Sequence, residues 1–549
     1  MDTLARTAVI AALLIVGFVI GFPLLLGLWQ SLYGGLPYLS NVFDSAGLFK
    51  SAFTALMSSA LALFSAVGLA AIFQGKQRAL TWISLPLLAI PHAAIAQAIS
   101  LLFGPSSFTI RLLSPWATGY TSTPNNWLWD QHPDGWTLII VLAMKELPFF
   151  LILIYNLSSS LPLSAWQRGS TSLGYSRVTG WWHIVLPVIL RRLWLPLCLV
   201  IIFCLSVVDV PALVGPNLTK TFAHQMYQNW INDTPQGEVL ASGVLLLGLS
   251  IITIAISAAI FKLYYLYLRF KRHFVRGLPA LILPWLGASL GLLLMGTALV
   301  SLALLPVQSV LETSGHRVPF PQIWMGKIGL NGWMEALKVG IPTLPTTLLI
   351  GALTSSISLL IALWLLVLEK SYGHQRWLET VLMIPLLVPQ MAFLAGGAFL
   401  GIRLGLIPNH GILMATWFHL LFVLPYIFLI IAPTYRGIDL SFRRTATALG
   451  HNWWSIFFRV ELPILFRPLV FAFAWGLAVS MALYLPTFFA TSGRLETLLT
   501  AGLTQLAGKG DNIRAVWGLM LLMLPVFCFL AAYGLASWQA SGRKGLRGG

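Results

Sequence analysis

Arg168-Gly-Ser-Thr-Ser-Leu-Gly174, followed after nine residues by Ile184-Val-Leu-Pro187, occurs a second time as Arg444-Thr-Ala-Thr-Ala-Leu-Gly450 with Val460-Glu-Leu-Pro463 at the same spacing. The copies lie 276 residues apart and align without a gap from residue 168 to residue 193. Eight positions are identical: Arg168/Arg444, Thr171/Thr447, Leu173/Leu449, Gly174/Gly450, Leu186/Leu462, Pro187/Pro463, Arg191/Arg467 and Leu193/Leu469. Both copies are polar stretches between long apolar runs. A polar loop used twice in such a chain predicts a surface that docks two copies of one partner.

The apolar runs settle the class. Of 549 residues, 58% are hydrophobic and 9% charged, and the mean hydropathy is +0.84. A soluble domain of that balance would lack the polar surface to cover its core. Twelve runs of about the length a helix needs to cross hydrocarbon lie near 8–28, 52–74, 81–103, 137–159, 187–214, 239–268, 280–305, 344–368, 379–402, 412–433, 466–490 and 515–538. They do not alternate in polarity, as the strands of a membrane β-barrel would. The expected fold is an all-α membrane protein with twelve transmembrane helices, the first being an uncleaved span.

The net charge of +17 does not point to nucleic acid. With the N-terminus placed in the cytoplasm, 21 of the 33 Lys and Arg residues fall on cytoplasmic loops and span ends, ten fall on the other side, and two (Lys145, Lys262) lie within spans. This is the positive-inside asymmetry. It puts both termini and both repeated loops in the cytoplasm, and it makes the cluster Arg269-Phe-Lys-Arg272 with Arg276 a topology signal.

The repeat divides the chain into two six-span halves, 1–272 (core about 50–268) and 273–549 (core about 344–538). Other landmarks recur in order. Leu85-Pro-Leu-Leu-Ala-Ile-Pro91 in span 3 resembles Ile384-Pro-Leu-Leu-Val-Pro389 in span 9, and Pro148-Phe-Phe-Leu-Ile in span 4 resembles Pro425-Tyr-Ile-Phe-Leu in span 10. Prolines at matching places predict kinked helices around a central pathway. An even number of spans per half gives parallel repeats about an axis along the membrane normal. The segments 104–136 and 306–343 are longer than their counterparts 403–411 and 29–51, and so break the symmetry on the outer side.

Catalytic signatures do not stand out. There is no Gly-x4-Gly-Lys-Ser/Thr phosphate loop, nucleophile elbow, zinc motif or dinucleotide fingerprint, and Gly508-Lys-Gly510 lacks the phosphate-loop pattern. Cys198, Cys204 and Cys528 lie in apolar runs without metal-ligand spacing. His92 and His419 read as packing or hydrogen-bonding residues. Ionisable groups within spans are expensive and mark a pathway by default. Three of them matter here: Lys145 and Glu146, just before Pro148, and Asp209, before Val210-Pro211. The second half has Leu485-Pro486 near the place of Asp209, so the carboxylate is one-sided and would favour a cationic solute.

Gly-x9-Ile/Val-x-Leu-Pro on a cytoplasmic loop of a six-span unit resembles the EAA loop of bacterial binding-protein-dependent ABC importer permeases of type I. The likeness is greatest to fused permeases of the ferric-iron and thiamine kind, in which one chain supplies both membrane domains. It implies coupling loops built on Arg168, Thr171, Leu173, Gly174, Ile184, Leu186, Pro187, Arg444, Thr447, Leu449, Gly450, Val460, Leu462 and Pro463. It also implies two copies of a cytoplasmic ABC ATPase, a periplasmic solute-binding protein, a place in the bacterial inner membrane, and no cofactor on this chain, ATP being bound by the partner. Import of a thiamine-like or ferric-iron-like solute, with no enzymatic activity on this chain, is the implied function. The family pattern has Glu six residues before the glycine, where both copies here have Arg, so an altered ATPase contact is expected. The alternative is an ion-coupled secondary transporter, which also often has twelve spans in two repeats; it would need coupling residues in the lumen and would leave the twin loops unexplained.

Overall fold

The computed structural model describes residues 3–105, 107–124, 135–215, 220–270, 278–311, 320–322, 328–372, 376–407, 409–506 and 509–541. The expected boundary at 272/273, the basic residues Lys271, Arg272 and Arg276, Gly508, and parts of the long segments 104–136 and 306–343 lie outside the described residues. Among the described residues the regular elements are helical, and the β contact is a single bridge between Leu311 and Ile328. Ten helices are long and apolar enough to cross a membrane, and two bent pairs raise the number to twelve. The chain is an all-α, multi-pass membrane protein.

Four of the apolar runs are broken helices. Span 3 stops as Gln77–Ala89 and restarts as His92–Phe103. Span 9 is bent by 88° before Gln390–Arg403. The residue before a proline is driven out of the helical region, and Ile90 (ψ 133°) and Val388 (ψ 134°) are both extended ahead of Pro91 and Pro389. Span 5 ends with Leu186–Ser206 and resumes as Asp209–Val214; span 11 ends with Leu462–Met481 and resumes as Tyr484–Thr491. In a continuous helix the rings of Pro211 and Pro486 would meet the carbonyls four residues earlier, at Val207 and Ala482, which is where both helices part. Pro148 and Pro425, by contrast, sit inside the uninterrupted helices Trp136–Ser159 and Gly411–Arg436.

The helices recur at the interval of the sequence repeat. Arg177–Gly180 and Trp453–Ile456 are 276 residues apart, as are the π-helical turns Trp181–Val185 and Phe457–Glu461 and the starts of the helices that follow them. Spans 1 and 7 each pack away from their sequence neighbours. Span 1 lies on spans 9 and 10: Ser31 Oγ donates to the Ala392 carbonyl at 2.7 Å, and Trp417 Nε1 donates to the Val19 carbonyl at 3.2 Å. A Cβ on Gly27 would run into the Phe393 carbonyl oxygen. Span 7 lies on span 2, and a Cβ on Gly68 would run into the backbone of Ala288 and Gly287. Lipid tails give no hydrophobic drive between such helices, so glycine's lack of a side chain is what permits the close approach.

Candidate functional site

Each repeated loop folds as a short helix, a left-handed glycine, a second helical turn and a π-helical turn that runs into a span. The first helix is Leu163–Ser172 and the second Leu440–Ala448. Gly174 (φ +79°) and Gly450 (φ +82°) end them in the conformation that glycine alone adopts without strain. Their amides donate to Thr171 O at 3.0 Å and Thr447 O at 2.9 Å, and the next residues reach back to Ser170 O and Ala446 O. The repeated threonines have one job in both copies: Thr171 Oγ1 donates to Gln167 O and Thr447 Oγ1 to Arg443 O, each at 2.9 Å. Ser176 and Asn452 cap the following turns. Pro187 and Pro463 then follow directly on the π-helical turns, each as the second residue of its span helix.

The tips face outward. Arg168, Arg444, Thr171 and Thr447 are exposed. Leu173 and Leu449 are 65% and 73% exposed, which leaves an apolar side chain at the same place on both loops. Leu186 is buried, while Ile184, Val460, Leu462 and Pro463 are half-buried, so the C-terminal part of each motif roots the loop in the bundle. Asp439 caps the second helix by accepting from the Ser441 amide at 2.8 Å. That bond, with Arg444 nearby, holds its carboxyl below the usual carboxylate range.

What roots the two loops differs. Under the first, Gln74 donates to the Arg177 carbonyl at 3.3 Å and accepts from Gln167 at 2.5 Å. Under the second lies an ionic cluster that the sequence reading missed. Glu461, 3% exposed, pairs with Lys370 at 3.0 Å and accepts from Tyr435 at 3.3 Å. Beside it Arg436 makes two bonds of 2.8 Å to Glu369 and one of 2.5 Å to Glu379. The signal was present as a glutamate at 461 where the first copy has Val185.

The in-span ionisable residues gather at the break in span 3. Pro91 has no N–H, so the carbonyl of Leu87 loses its helical donor. Lys145 Nζ supplies the replacement, at 2.9 Å to Leu87 O and 2.8 Å to Leu88 O. Glu146 lies 3.0 Å from His92 Nε2 at the start of the next helix. Asp209 opens the helix after the break in span 5, within electrostatic reach of His92. Lys145 therefore maintains the break, while Glu146, His92 and Asp209 surround it. His419 is buried and bonded to Ser480 at 2.7 Å and Thr487 at 2.9 Å. Among the described residues no group of three or more His, Cys, Asp or Glu is placed to hold a metal ion.

Twelve candidate spans, twin loops with left-handed glycines and a broken central helix define a membrane transport scaffold. No protein-family profile matches the chain. It is 29% identical over 464 residues, 84% of its own length and 82% of the relative's, to the inner membrane ABC transporter permease protein YnjC of Escherichia coli (strain K12). Fold and similarity together support a permease subunit of an ABC transporter.

Proposed function

We propose that the chain is the permease of an ABC importer in the bacterial inner membrane, with both membrane halves, 1–272 and 273–549, on one polypeptide. The loops around Gly174 and Gly450 dock two copies of a cytoplasmic ATPase, which binds the ATP. A periplasmic binding protein delivers the solute to the opposite face, and both termini are cytoplasmic. Closure of the ATPase pair draws the loops together. Because each loop passes through a π-helical turn directly into Leu186–Ser206 or Leu462–Met481, that movement tilts spans 5 and 11. The solute is thiamine-like or ferric-iron-like, and Glu146 and Asp209 line its path, with Lys145 holding the broken helix beside them.

The observation that carries this reading is the pair of loops themselves. They share the same backbone path, the same left-handed glycine and the same exposed leucine, at one interval in a twelve-span chain. The test is co-purification with the candidate ATPase, and the dependence of ATP hydrolysis on Gly174 and Gly450. A stable complex whose activity is lost in Gly174→Val and Gly450→Val supports the importer. If no ATPase associates and uptake follows an ion gradient, the chain is a secondary transporter instead.

A further inference from the structure

At the end of the bundle opposite the loops, one helix length of about 30 Å from them along Leu186–Ser206, a cavity of about 660 Å³ opens between the two halves. The size suits a small organic ligand. Its walls come from three distant parts of the chain: the helix Phe222–Ile231, the end of Gln390–Arg403, and the stretch beginning at Tyr484. Aromatic rings make these walls. Trp230 lies 4.4 Å from Phe399, and Phe488 lies 5.0 Å from Tyr227 and 6.0 Å from Tyr484, measured between centroids. The floor is a hydrogen bond between the hydroxyls of Tyr227 and Tyr484, one from each half.

Two further observations mark the cavity. Asp233 (φ +52°) and Ser492 (φ +50°) are the non-glycine residues with left-handed backbone among the described residues, and both line it. Both end helices there, Asp233 after Phe222–Ile231 and Ser492 after Tyr484–Thr491. The rim also carries charge, with the carboxylates of Asp233 and Glu496 against the guanidinium of Arg494. Ring faces attract cations, and the rim carries two carboxylates to one guanidinium.

We propose that this cavity is the chain's own solute site and that it holds a flat, ring-bearing organic cation above the closed Tyr227–Tyr484 contact. The inference rests on the importer reading for the direction of passage, and it favours the first of the two solute classes raised above, since among the described residues no group of three or more His, Cys, Asp or Glu is placed to hold a bare metal ion. Trp230 and Phe488 supply the π-faces, Asp233 and Glu496 select the charge, and the tyrosine pair parts when the halves tilt.

The test is equilibrium dialysis of the full chain, with its ATPase where they co-purify, in lipid nanodiscs at pH 7. Three probes of similar shape are compared: 1-methylquinolinium, neutral quinoline and the anion 2-naphthoate. Saturable binding of 1-methylquinolinium at least tenfold tighter than that of the other two is expected. Trp230→Ala and Phe488→Ala should each weaken it about tenfold. Glu496→Gln with Asp233→Asn, on the exposed rim where folding is not at stake, should abolish the preference for the cation and leave quinoline binding unchanged. Tightest binding of 2-naphthoate, lost in Arg494→Gln, would overturn the proposal, as would no saturable binding of any probe. ATPase association, read on the same samples, reports separately on the importer reading: a complex that forms without probe binding leaves that reading standing and removes this one.

Discussion

The two loops trace the same path on different foundations. The first rests on neutral groups, with Gln74 bridging Gln167 and the Arg177 carbonyl above a buried Val185. The second rests on charge, with Glu461 paired to Lys370 and Arg436 clamped by Glu369 and Glu379. Backbone geometry is set by the elements common to both, the threonine back-bond, the left-handed glycine and the first-turn proline. The anchoring beneath is free to diverge. Divergence has a mechanical meaning. Removing one partner of a buried ion pair strands the other charge, at about 3–5 kcal/mol, whereas a neutral hydrogen bond contributes about 1 kcal/mol net. The second loop is thus the more vulnerable of the two to a single substitution.

The largest effect is therefore expected at Glu461. Glu461→Gln should lower the thermal unfolding midpoint of the detergent-solubilised chain and abolish uptake, with a loss of about 3–5 kcal/mol. Glu461→Leu combined with Lys370→Met should recover most of the stability. Equal unfolding midpoints for the single and double variants would remove the ion pair from the account.

Next come the glycines, where the loops should behave alike. Forcing a side chain into the left-handed region costs roughly 1–2 kcal/mol. Gly174→Val and Gly450→Val should each cut transport at least tenfold while membrane insertion, read by protease accessibility, stays normal. A tenfold difference between the two would show that the halves contribute unequally to coupling.

Arg444→Glu should weaken ATPase association severalfold without changing the unfolding midpoint, because Arg444 is exposed. Reversing an acidic residue on the ATPase should restore it. Unchanged association would mean that the arginine is not part of the contact.

The smallest effect belongs to Gln74→Leu. Loss of one neutral bridge is expected to cost about 1 kcal/mol and to leave uptake within threefold. If Gln74→Leu proves as damaging as Glu461→Gln, the contrast between the loops fails.

Much of this architecture was legible because it is local. Run length announced the ten to twelve spans, and the gapless repeat announced the twin loops. Pro91 and Pro389 announced breaks, while Pro148 and Pro425 sit inside helices that run on through them. The breaks before Asp209 and Tyr484 were equally written, in Pro211 and Pro486, but hydropathy alone runs straight through them. The contacts that give the site its chemistry join residues far apart in the chain: Lys145 with Leu87 across 58 residues, Lys370 with Glu461 across 91, and Tyr227 with Tyr484 across 257. Periodicity carries no information about which distant side chains meet, so a lysine read as a pathway residue proves to supply the donor a proline lacks.

The crossing of span 1 onto the far side of the bundle sets a schedule for biogenesis. Ser31 meets its partner at Ala392 only after another 361 residues have been made. At a synthesis rate of ~5–20 residues per second that is roughly 20–70 s. Until span 9 is made, Gly27 and Ser31 are bordered by lipid or by other helices, among them span 6, which packs on the same helix at Gly35. A nascent chain that never receives span 9 keeps the close seat at Gly27 unfilled.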